Sequence, residues 1–135
     1  PIVAACPCGQ VTFTSNEQPV IQFICHCKDC RAATGAPWTG TAIFNVKGSE
    51  RLGEVTRHQF TVSSGAQTYR DACNTCGTVV FDISEQYPDL IGVLCNCIAA
   101  PFVFQPTHHI WLESSVLEAW PDDGLKQRKR GVLEA

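Results

Sequence analysis

The sequence predicts a mostly β protein built from several short strands, and three observations support this. Short segments rich in β-branched and aromatic residues recur along the chain. Turn-forming residues interrupt these segments often, and only Lys28 to Ala33 has the character of a helical turn before the C-terminus. The 135 residues, of which 44% are hydrophobic, provide enough apolar material for one packed core.

The predicted strands follow one another in chain order. They are Val11–Thr14, Pro19–Ile24, Ile43–Phe44, Gln59–Val62, Thr78–Ile83 and His109–Leu112. Turns are predicted at Gly9, Gly35-Ala-Pro37, Gly48-Ser49, Ser63-Ser-Gly65, Gly77 and Gly92. A loop is predicted at Pro121-Asp-Asp-Gly124, so we expect a domain over residues 1–121 and a C-terminal tail over residues 122–135. The basic run Lys126–Arg130 in that tail is interpreted as solvated and poorly ordered, with a partner or nucleic-acid contact as the alternative.

Charge and hydropathy exclude several classes of protein. The formal net charge of −3 argues against a nucleic-acid binder, which would normally carry a basic field. The sequence has no apolar run long enough to span a membrane, and its first residues do not show a signal-peptide pattern. We therefore expect a cytoplasmic protein without a membrane partner, and we leave open whether it forms a homo-oligomer.

The nine cysteines could form disulfides or bind metal. Seven of them lie in closely spaced motifs of the types C-x-C, C-x-C-x-x-C and C-x-x-C. Such neighbours rarely reach the Cα separation and dihedral angle that a disulfide needs. The same spacings allow one turn to direct two or three thiolates at a single ion. The spacing therefore favours metal binding.

Two of the motifs are typical of zinc knuckles. Cys6-x-Cys8-Gly and Cys73-x-x-Cys76-Gly would each supply two ligands from a tight turn, followed by a glycine that lets the backbone reverse. Together they would make one structural four-cysteine site that closes a long loop and contributes folding free energy. Spacing alone also permits Cys6 and Cys8 to pair with members of the remaining motif.

The remaining motif supplies three thiolates, from Cys25, Cys27 and Cys30. Three protein ligands and an open position are the pattern of a catalytic zinc. Three thiolates outweigh the charge of the ion, so the site would suit a soft fourth ligand such as a substrate thiolate better than water. The alternative is a second structural zinc that takes its fourth ligand from Cys95, Cys97 or a histidine.

Residues near these motifs suggest further roles. His26 is expected to point away from the metal or to support it indirectly, because neighbours on an extended loop point apart. His109 could act as a general acid or base, although packing in the core is the preferred interpretation. Cys95 and Cys97 are interpreted as small buried hydrophobes, with a fourth ligand or a redox pair as alternatives. The cations that flank the motifs could pair with substrate carboxylates or offset thiolate charge. They are Lys28, Arg31 and Arg70.

The order of the three cysteine motifs resembles the glutathione-dependent formaldehyde-activating enzyme (GFA) family, which includes centromere protein V. The likeness continues beyond the cysteines. Its further elements are Gly35-Ala-Pro37 with Trp38, Arg70 before Cys73, Gly92-Val-Leu94, Pro106 with His109-Ile110, and Trp120. One departure is Cys95, where the family commonly has an aspartate.

The resemblance implies a β-tent type fold of short antiparallel sheets with two zinc sites. It implies a structural zinc on Cys6, Cys8, Cys73 and Cys76, and a catalytic or labile zinc on Cys25, Cys27 and Cys30. The implied activity is that of a carbon–sulfur lyase, which makes or breaks a bond between a thiol such as glutathione and a small carbonyl compound. The alternative is a non-catalytic zinc module that binds a macromolecule, of the chromatin-associated type.

Overall fold

The structure is a computed structural model that describes residues 1–62 and 65–133. Part of the predicted turn at Ser63-Ser-Gly65 and the last two residues of the predicted tail lie outside the described residues. The strands are β1 Ile2–Ala5, β2 Thr12–Ser15, β3 Ile21–Cys25, β4 Thr39–Asn45, β5 Ser49–Leu52, β6 Val55–Thr61, β7 Gln67–Cys73, β8 Val79–Ser84, β9 Leu90–Leu94, β10 His108–Ile110 and β11 Lys126–Gln127. One α-helix, α1, spans Lys28–Thr34, and short 3-10 turns lie at Cys95–Cys97 and Leu112–Ser114.

The strands form two sheets. The smaller sheet has the order β1-β2-β5, and the larger has the order β11-β10-β3-β4-β9-β8-β7-β6. Pairing is antiparallel except where β10 pairs in parallel with β3 and with β11. The prediction of a mostly β fold of short antiparallel sheets is confirmed.

The core lies where the two sheets face each other. Phe13 of the small sheet packs against Phe44 and Phe81 of the large sheet, with ring centroids 5.1 and 6.0 Å apart. All three rings are buried. Burial of such aromatic side chains contributes about 2–3 kcal/mol each, so this contact is a main link between the sheets.

Helix α1 has clear signals at both ends. Cys27 is its N-cap, with its sulfur accepting a hydrogen bond from the Cys30 amide at 3.2 Å. Gly35 ends the helix at a φ of 75°, a conformation that costs glycine little, and its N–H bonds the Arg31 carbonyl at 2.8 Å. The helix is therefore tied directly to the predicted metal motif.

The C-terminal segment is attached to the large sheet rather than free. The Arg128 amide donates to the His109 carbonyl at 2.9 Å, and the Trp111 amide donates to the Arg130 carbonyl at 2.8 Å. The interpretation of Lys126–Arg130 as poorly ordered is thus wrong, because backbone hydrogen bonds hold this run beside β10. The division into residues 1–121 and 122–135 stays a prediction.

Within the described residues, no helix combines the length and the apolar character that are needed to cross a bilayer.

Candidate metal centres and the adjoining cleft

The fold brings Cys6, Cys8, Cys73 and Cys76 together into one cluster, with all four sulfur atoms within 4.8 Å of one another. The sulfur of Cys8 lies 3.5 Å from that of Cys6 and 3.6 Å from that of Cys73. A disulfide bond would be about 2 Å long, whereas thiolates around a tetrahedral zinc with bonds of about 2.3 Å are separated by about 3.8 Å. These residues form the four-cysteine cluster, and its spacing fits a metal ion.

Backbone amides support the sulfur atoms of this cluster. The Val11 amide donates to Cys6 Sγ at 3.3 Å, and the Thr75 amide donates to Cys73 Sγ at the same distance. Gly9 and Gly77 follow the two motifs with φ of 80° and 74°, which permits the tight reversal. Hydrogen bonds of this kind stabilise thiolates and orient them for an ion.

The three-cysteine cluster consists of Cys25, Cys27 and Cys30, whose sulfur atoms also lie within 4.8 Å of one another. Cys25 ends β3, Cys27 caps α1, and Cys30 lies in the first turn of that helix. The sulfur atoms of Cys25 and Cys30, both buried, are 3.6 Å apart, and Cys27 is only partly buried. Among the described residues, no histidine and no fourth cysteine joins this cluster.

A buried cation faces the three-cysteine cluster. The Arg70 guanidinium lies 3.4 Å from Cys30 Sγ and 3.8 Å from Cys27 Sγ. It also lies 3.1 Å from the Asp82 carboxylate and 5.6 Å from the centre of the Phe60 ring. Burial alone would lower the pKa of Arg70, but Asp82 and Cys30 raise it above its ordinary value. Of the two roles that the sequence left open for Arg70, this geometry favours balancing thiolate charge.

The three thiols influence one another's ionisation. Hydrogen bonds from Cys25 and Cys30 lower the pKa of Cys27, with a further contribution from Arg70. Hydrogen bonding to Cys27 and Cys30, together with burial, raises the pKa of Cys25.

A chain of polar residues lies beside the cluster, running from the buried His26 and His109 to the exposed Asp123. His26 Nε2 is 2.9 Å from His109 Nδ1, and His109 Nε2 is 2.7 Å from Asp123 Oδ2. Burial, and then the charge of His109, lower the pKa of His26 to about 4, which keeps its ring neutral. His26 thus points towards β10, and His109 is packed in the interior as expected from the sequence. His108 instead contacts Thr107 Oγ1 at 2.7 Å.

The other cysteines and cations take separate positions. Cys97 is buried in the main core, whereas Cys95 is only partly buried. Within the described part of the chain, neither of them belongs to a cluster of candidate metal ligands. Arg31 donates to the Ser114 carbonyl at 2.9 Å, and Lys28 is exposed at the start of α1. The Arg31 guanidinium is therefore engaged in an internal hydrogen bond.

A cleft of about 530 Å³ lies between the end of α1, the start of β4, the second knuckle and the 3-10 turn at Cys95–Cys97. We call it the side cleft. Its walls include Thr34 and Thr39, which belong to the same elements as the three-cysteine cluster, and Gly77 beside the four-cysteine cluster. The side cleft is thus bordered by parts of both candidate metal centres.

Two β-sheets and two separate cysteine clusters define a β-sheet protein equipped to bind metal, and thiolate donors suit soft ions such as Zn²⁺. Residues 1–114 match the family model described as glutathione-dependent formaldehyde-activating enzyme. The chain therefore belongs to the GFA family.

The chain was also compared with proteins of known structure and with curated proteins. A Rhodobacter sphaeroides protein of known crystal structure has a similar fold, with a TM-score of 0.54 and 22% sequence identity. The match covers 75% of this chain and 90% of that one, and at this identity it supports the fold alone. A comparison with curated proteins gives no match.

Sequence reasoning missed two members of the site. Asp82 lies directly opposite Arg70 in the pairing of β8 with β7, so recognising β7 as a strand would have revealed the pair. Asp123 comes from the predicted loop near the C-terminus, and no local signal linked it to His109.

Proposed function

We propose that this protein is a zinc-dependent carbon–sulfur lyase of the GFA type, which makes or breaks a C–S bond between a thiol such as glutathione and a small carbonyl compound such as formaldehyde. The observation that carries the proposal is the three-cysteine cluster. It is separate from the four-cysteine cluster, it has no fourth cysteine or histidine among the described residues, and it lies next to a cleft. Family membership supports the same chemistry.

In this proposal the two clusters have different tasks. Cys6, Cys8, Cys73 and Cys76 would hold a structural zinc, since four thiolates complete a tetrahedron. Cys25, Cys27 and Cys30 would hold the second zinc and form the catalytic centre. When bound there, zinc would supply a coordination position for a substrate thiol and favour its deprotonated form.

The protein's own residues would tune this centre. Arg70 places positive charge 3.4 Å from Cys30 Sγ, which reduces the excess negative charge of three thiolates. Asp82 holds the guanidinium from the opposite side at 3.1 Å. The Cys30 amide donates to Cys27 Sγ, which fixes that sulfur at the start of α1. Together these contacts hold the cluster in one arrangement before a substrate arrives.

The proposed reaction consists of the formation or cleavage of one C–S bond together with proton transfers. In the forward direction the thiol loses its proton, its sulfur bonds to the carbonyl carbon, and the carbonyl oxygen takes up a proton. In reverse, the hydroxyl proton leaves, the C–S bond breaks, and the thiol is restored. Because the two directions balance without an oxidant or reductant, positioning and proton exchange are all that the site must supply.

A second candidate function is a non-catalytic module that binds a macromolecule. The observation that favours it is the exposed basic run Lys126–Arg130 at the edge of the large sheet. Arg130 in that run forms an ion pair with Glu113 at 3.0 Å, which leaves it less available to bind the phosphates of a nucleic acid. A DNA titration at several salt concentrations distinguishes the candidates, since a steep salt dependence would support the module and its absence would remove it.

Exchange spectroscopy by NMR tests the proposed lyase. Labelled formaldehyde and a thiol are allowed to equilibrate with their adduct, and the exchange rate is measured with and without the zinc-loaded protein. We expect the protein to accelerate exchange and Cys27→Ser to abolish the acceleration. Cys97→Ala is the matched control, because Cys97 lies in the core outside both clusters. Unchanged exchange for every thiol would exclude this activity.

A further inference from the structure

The chemical character of the side cleft restricts what it can bind. Its walls consist of alanine, threonine, glycine and apolar residues together with Trp38, Asn96 and two cysteines, of which Cys76 belongs to the four-cysteine cluster and Cys95 to neither cluster. Among the described residues that line it, none is a lysine, arginine, histidine, aspartate or glutamate. A charged group entering this cleft would lose part of its hydration without gaining a partner of opposite charge, which is costly.

The cleft borders the two elements that hold the three-cysteine cluster, although none of Cys25, Cys27 and Cys30 lines it. Cys27 caps helix α1, which carries Cys30, and the last residue of the helix, Thr34, lines the cleft. The Thr34 hydroxyl donates to the Cys30 carbonyl at 2.8 Å. On the other wall, Thr39 is paired directly opposite Cys25 in the β3–β4 register. A molecule in the cleft is therefore in contact with the two elements that hold the cluster.

One polar group in the cleft has no partner within the protein. Thr39 is only 7% exposed, and its hydroxyl oxygen is buried without a hydrogen-bond partner. Leaving such a group unsatisfied costs about 1–3 kcal/mol. A ligand group that reaches this hydroxyl would remove that cost, so Thr39 indicates a hydrogen-bonding group in the ligand.

The part of the cleft formed by Gly40 and Cys95 is closely packed. A Cβ atom on Gly40 would lie 2.5 Å from Cys95 Sγ and 2.9 Å from the Phe104 ring. Cys95 is therefore seated directly against the β4 backbone, where only glycine leaves room. Burial raises the pKa of Cys95, so its thiol remains uncharged at neutral pH. This wall adds no negative charge that could attract a cation.

The cations near the cysteine motifs do not change this conclusion. Arg70 is occupied by Asp82 and Cys30, and Arg31 by the Ser114 carbonyl. Neither lines the side cleft. Glutathione carries two carboxylates and an ammonium group, and in proteins such groups are normally bound by charged partners.

We infer that the side cleft selects the thiol substrate, an inference that rests on the proposed function. The substrate is a small uncharged thiol with a hydroxyl or amide group rather than a multiply charged peptide thiol. The hydroxyl or amide bonds Thr39, and the apolar walls accept the remainder of the molecule. The preference for an uncharged thiol then follows as much from the cost of bringing a charged thiol into the cleft as from the hydrogen bond to Thr39.

A panel of thiols tests the inference by two independent readouts, with three small members that differ mainly in charge and a fourth, glutathione, that is also larger. The panel is 2-mercaptoethanol, cysteamine, 3-mercaptopropionate and glutathione. Binding to the zinc-loaded protein is followed through the amide signals of Gly40 and Asn96, and adduct exchange with formaldehyde is measured relative to the uncatalysed rate for each thiol. We expect 2-mercaptoethanol to bind and to be accelerated at least about ten-fold more than the charged thiols.

A matched variant and a matched ligand test the role of Thr39. Thr39→Val retains the shape of the side chain but removes its hydroxyl, and 1-propanethiol replaces the ligand hydroxyl with a methyl group. We expect the variant to weaken 2-mercaptoethanol binding roughly five-fold and to leave 1-propanethiol unaffected. Equal effects on both ligands would contradict the hydrogen bond.

The two readouts separate failure of the inference from failure of the proposed function. Binding or acceleration of glutathione equal to that of 2-mercaptoethanol would overturn the inference while the lyase activity stands. Absence of amide shifts with every thiol would also overturn it. Selective binding of 2-mercaptoethanol without accelerated exchange would support the selective cleft and refute the lyase.

Discussion

The Arg70 guanidinium is 3.4 Å from the sulfur of Cys30, and it is the positive charge that the fold places against the three-cysteine cluster. Three thiolates and a divalent ion together carry a net negative charge. Arg70 reduces this excess in a buried setting, where solvent screens little. The contact explains why a side chain that is costly to bury lies in the interior.

Removing this charge should weaken metal retention at the three-cysteine cluster. We expect Arg70→Met to lower the metal affinity of that cluster roughly ten-fold or more, as for other residues that support metal ligands. Competition with a chromophoric chelator measures the change. Arg70→Lys keeps the charge and should recover part of the affinity, whereas equal losses in both variants would point to packing rather than charge.

The Asp82 carboxylate is expected to stabilise the fold through Arg70. Asp82→Asn leaves a buried guanidinium without its counter-ion. We expect a loss of stability of about 2 kcal/mol, which is less than the roughly 3–5 kcal/mol for a fully buried pair because Asp82 is partly exposed. Urea unfolding measures the difference. The matched control is Arg130→Ala, which breaks an exposed pair with Glu113 and should cost less than about 1 kcal/mol. Similar costs for the two variants would contradict a special role for Asp82.

The two cysteine clusters should differ in their effect on stability. Cys73→Ser removes a ligand from the cluster that joins the N-terminal turn to the β7–β8 turn, so we expect a large fall in the thermal midpoint. Cys27→Ser alters only a local motif and should cause a smaller fall. Thermal unfolding of zinc-loaded protein compares them, and a larger loss in Cys27→Ser would reverse the structural and catalytic assignments.

The contact between His109 and Asp123 should make stability depend on pH in acid. The hydrogen bond from His109 lowers the pKa of Asp123 below its usual value of about 3.9. Because the folded-state pKa is the lower one, the stabilisation is present above the unfolded-state value and is lost as the pH falls through the folded-state value.

The corresponding measurement compares thermal midpoints of the wild-type protein and Asp123→Asn. The deficit of the variant should shrink as the pH falls below about pH 4, where the wild-type carboxylate becomes protonated. Comparing the two proteins at each pH cancels acid effects that they share, such as loss of metal. A deficit that stays the same or grows below about pH 4 would contradict a stabilising, ionised Asp123 carboxylate.

Short sequence patterns correctly predicted those elements of the fold that depend only on residues close together in the chain. The β-branched and aromatic run at β8 and the cysteine spacings depend only on nearby sequence. Strand β7 was missed because it contains Arg70 and Asp71, two polar residues that are buried by pairing with partners from other strands. A sequence pattern cannot distinguish such residues from exposed loop residues.

Long-range partners account for the rest of what could not be predicted. Strand β10 ends before the predicted Leu112 because Trp111 adopts a left-handed conformation with φ of 57°. The link from His26 through His109 to Asp123 requires β3, β10 and the C-terminal segment to lie side by side. These arrangements depend on strand order, which the motifs do not encode.

X-ray absorption at the zinc edge, with metal analysis on the same sample, tests the central claim most directly. We predict two zinc ions per chain and about 3.5 sulfur ligands per zinc, the mean of a four-cysteine and a three-cysteine site. Addition of 2-mercaptoethanol should raise this mean towards four as the thiol joins the three-cysteine site. One zinc per chain, or a sulfur count that does not respond to added thiol, would contradict the account.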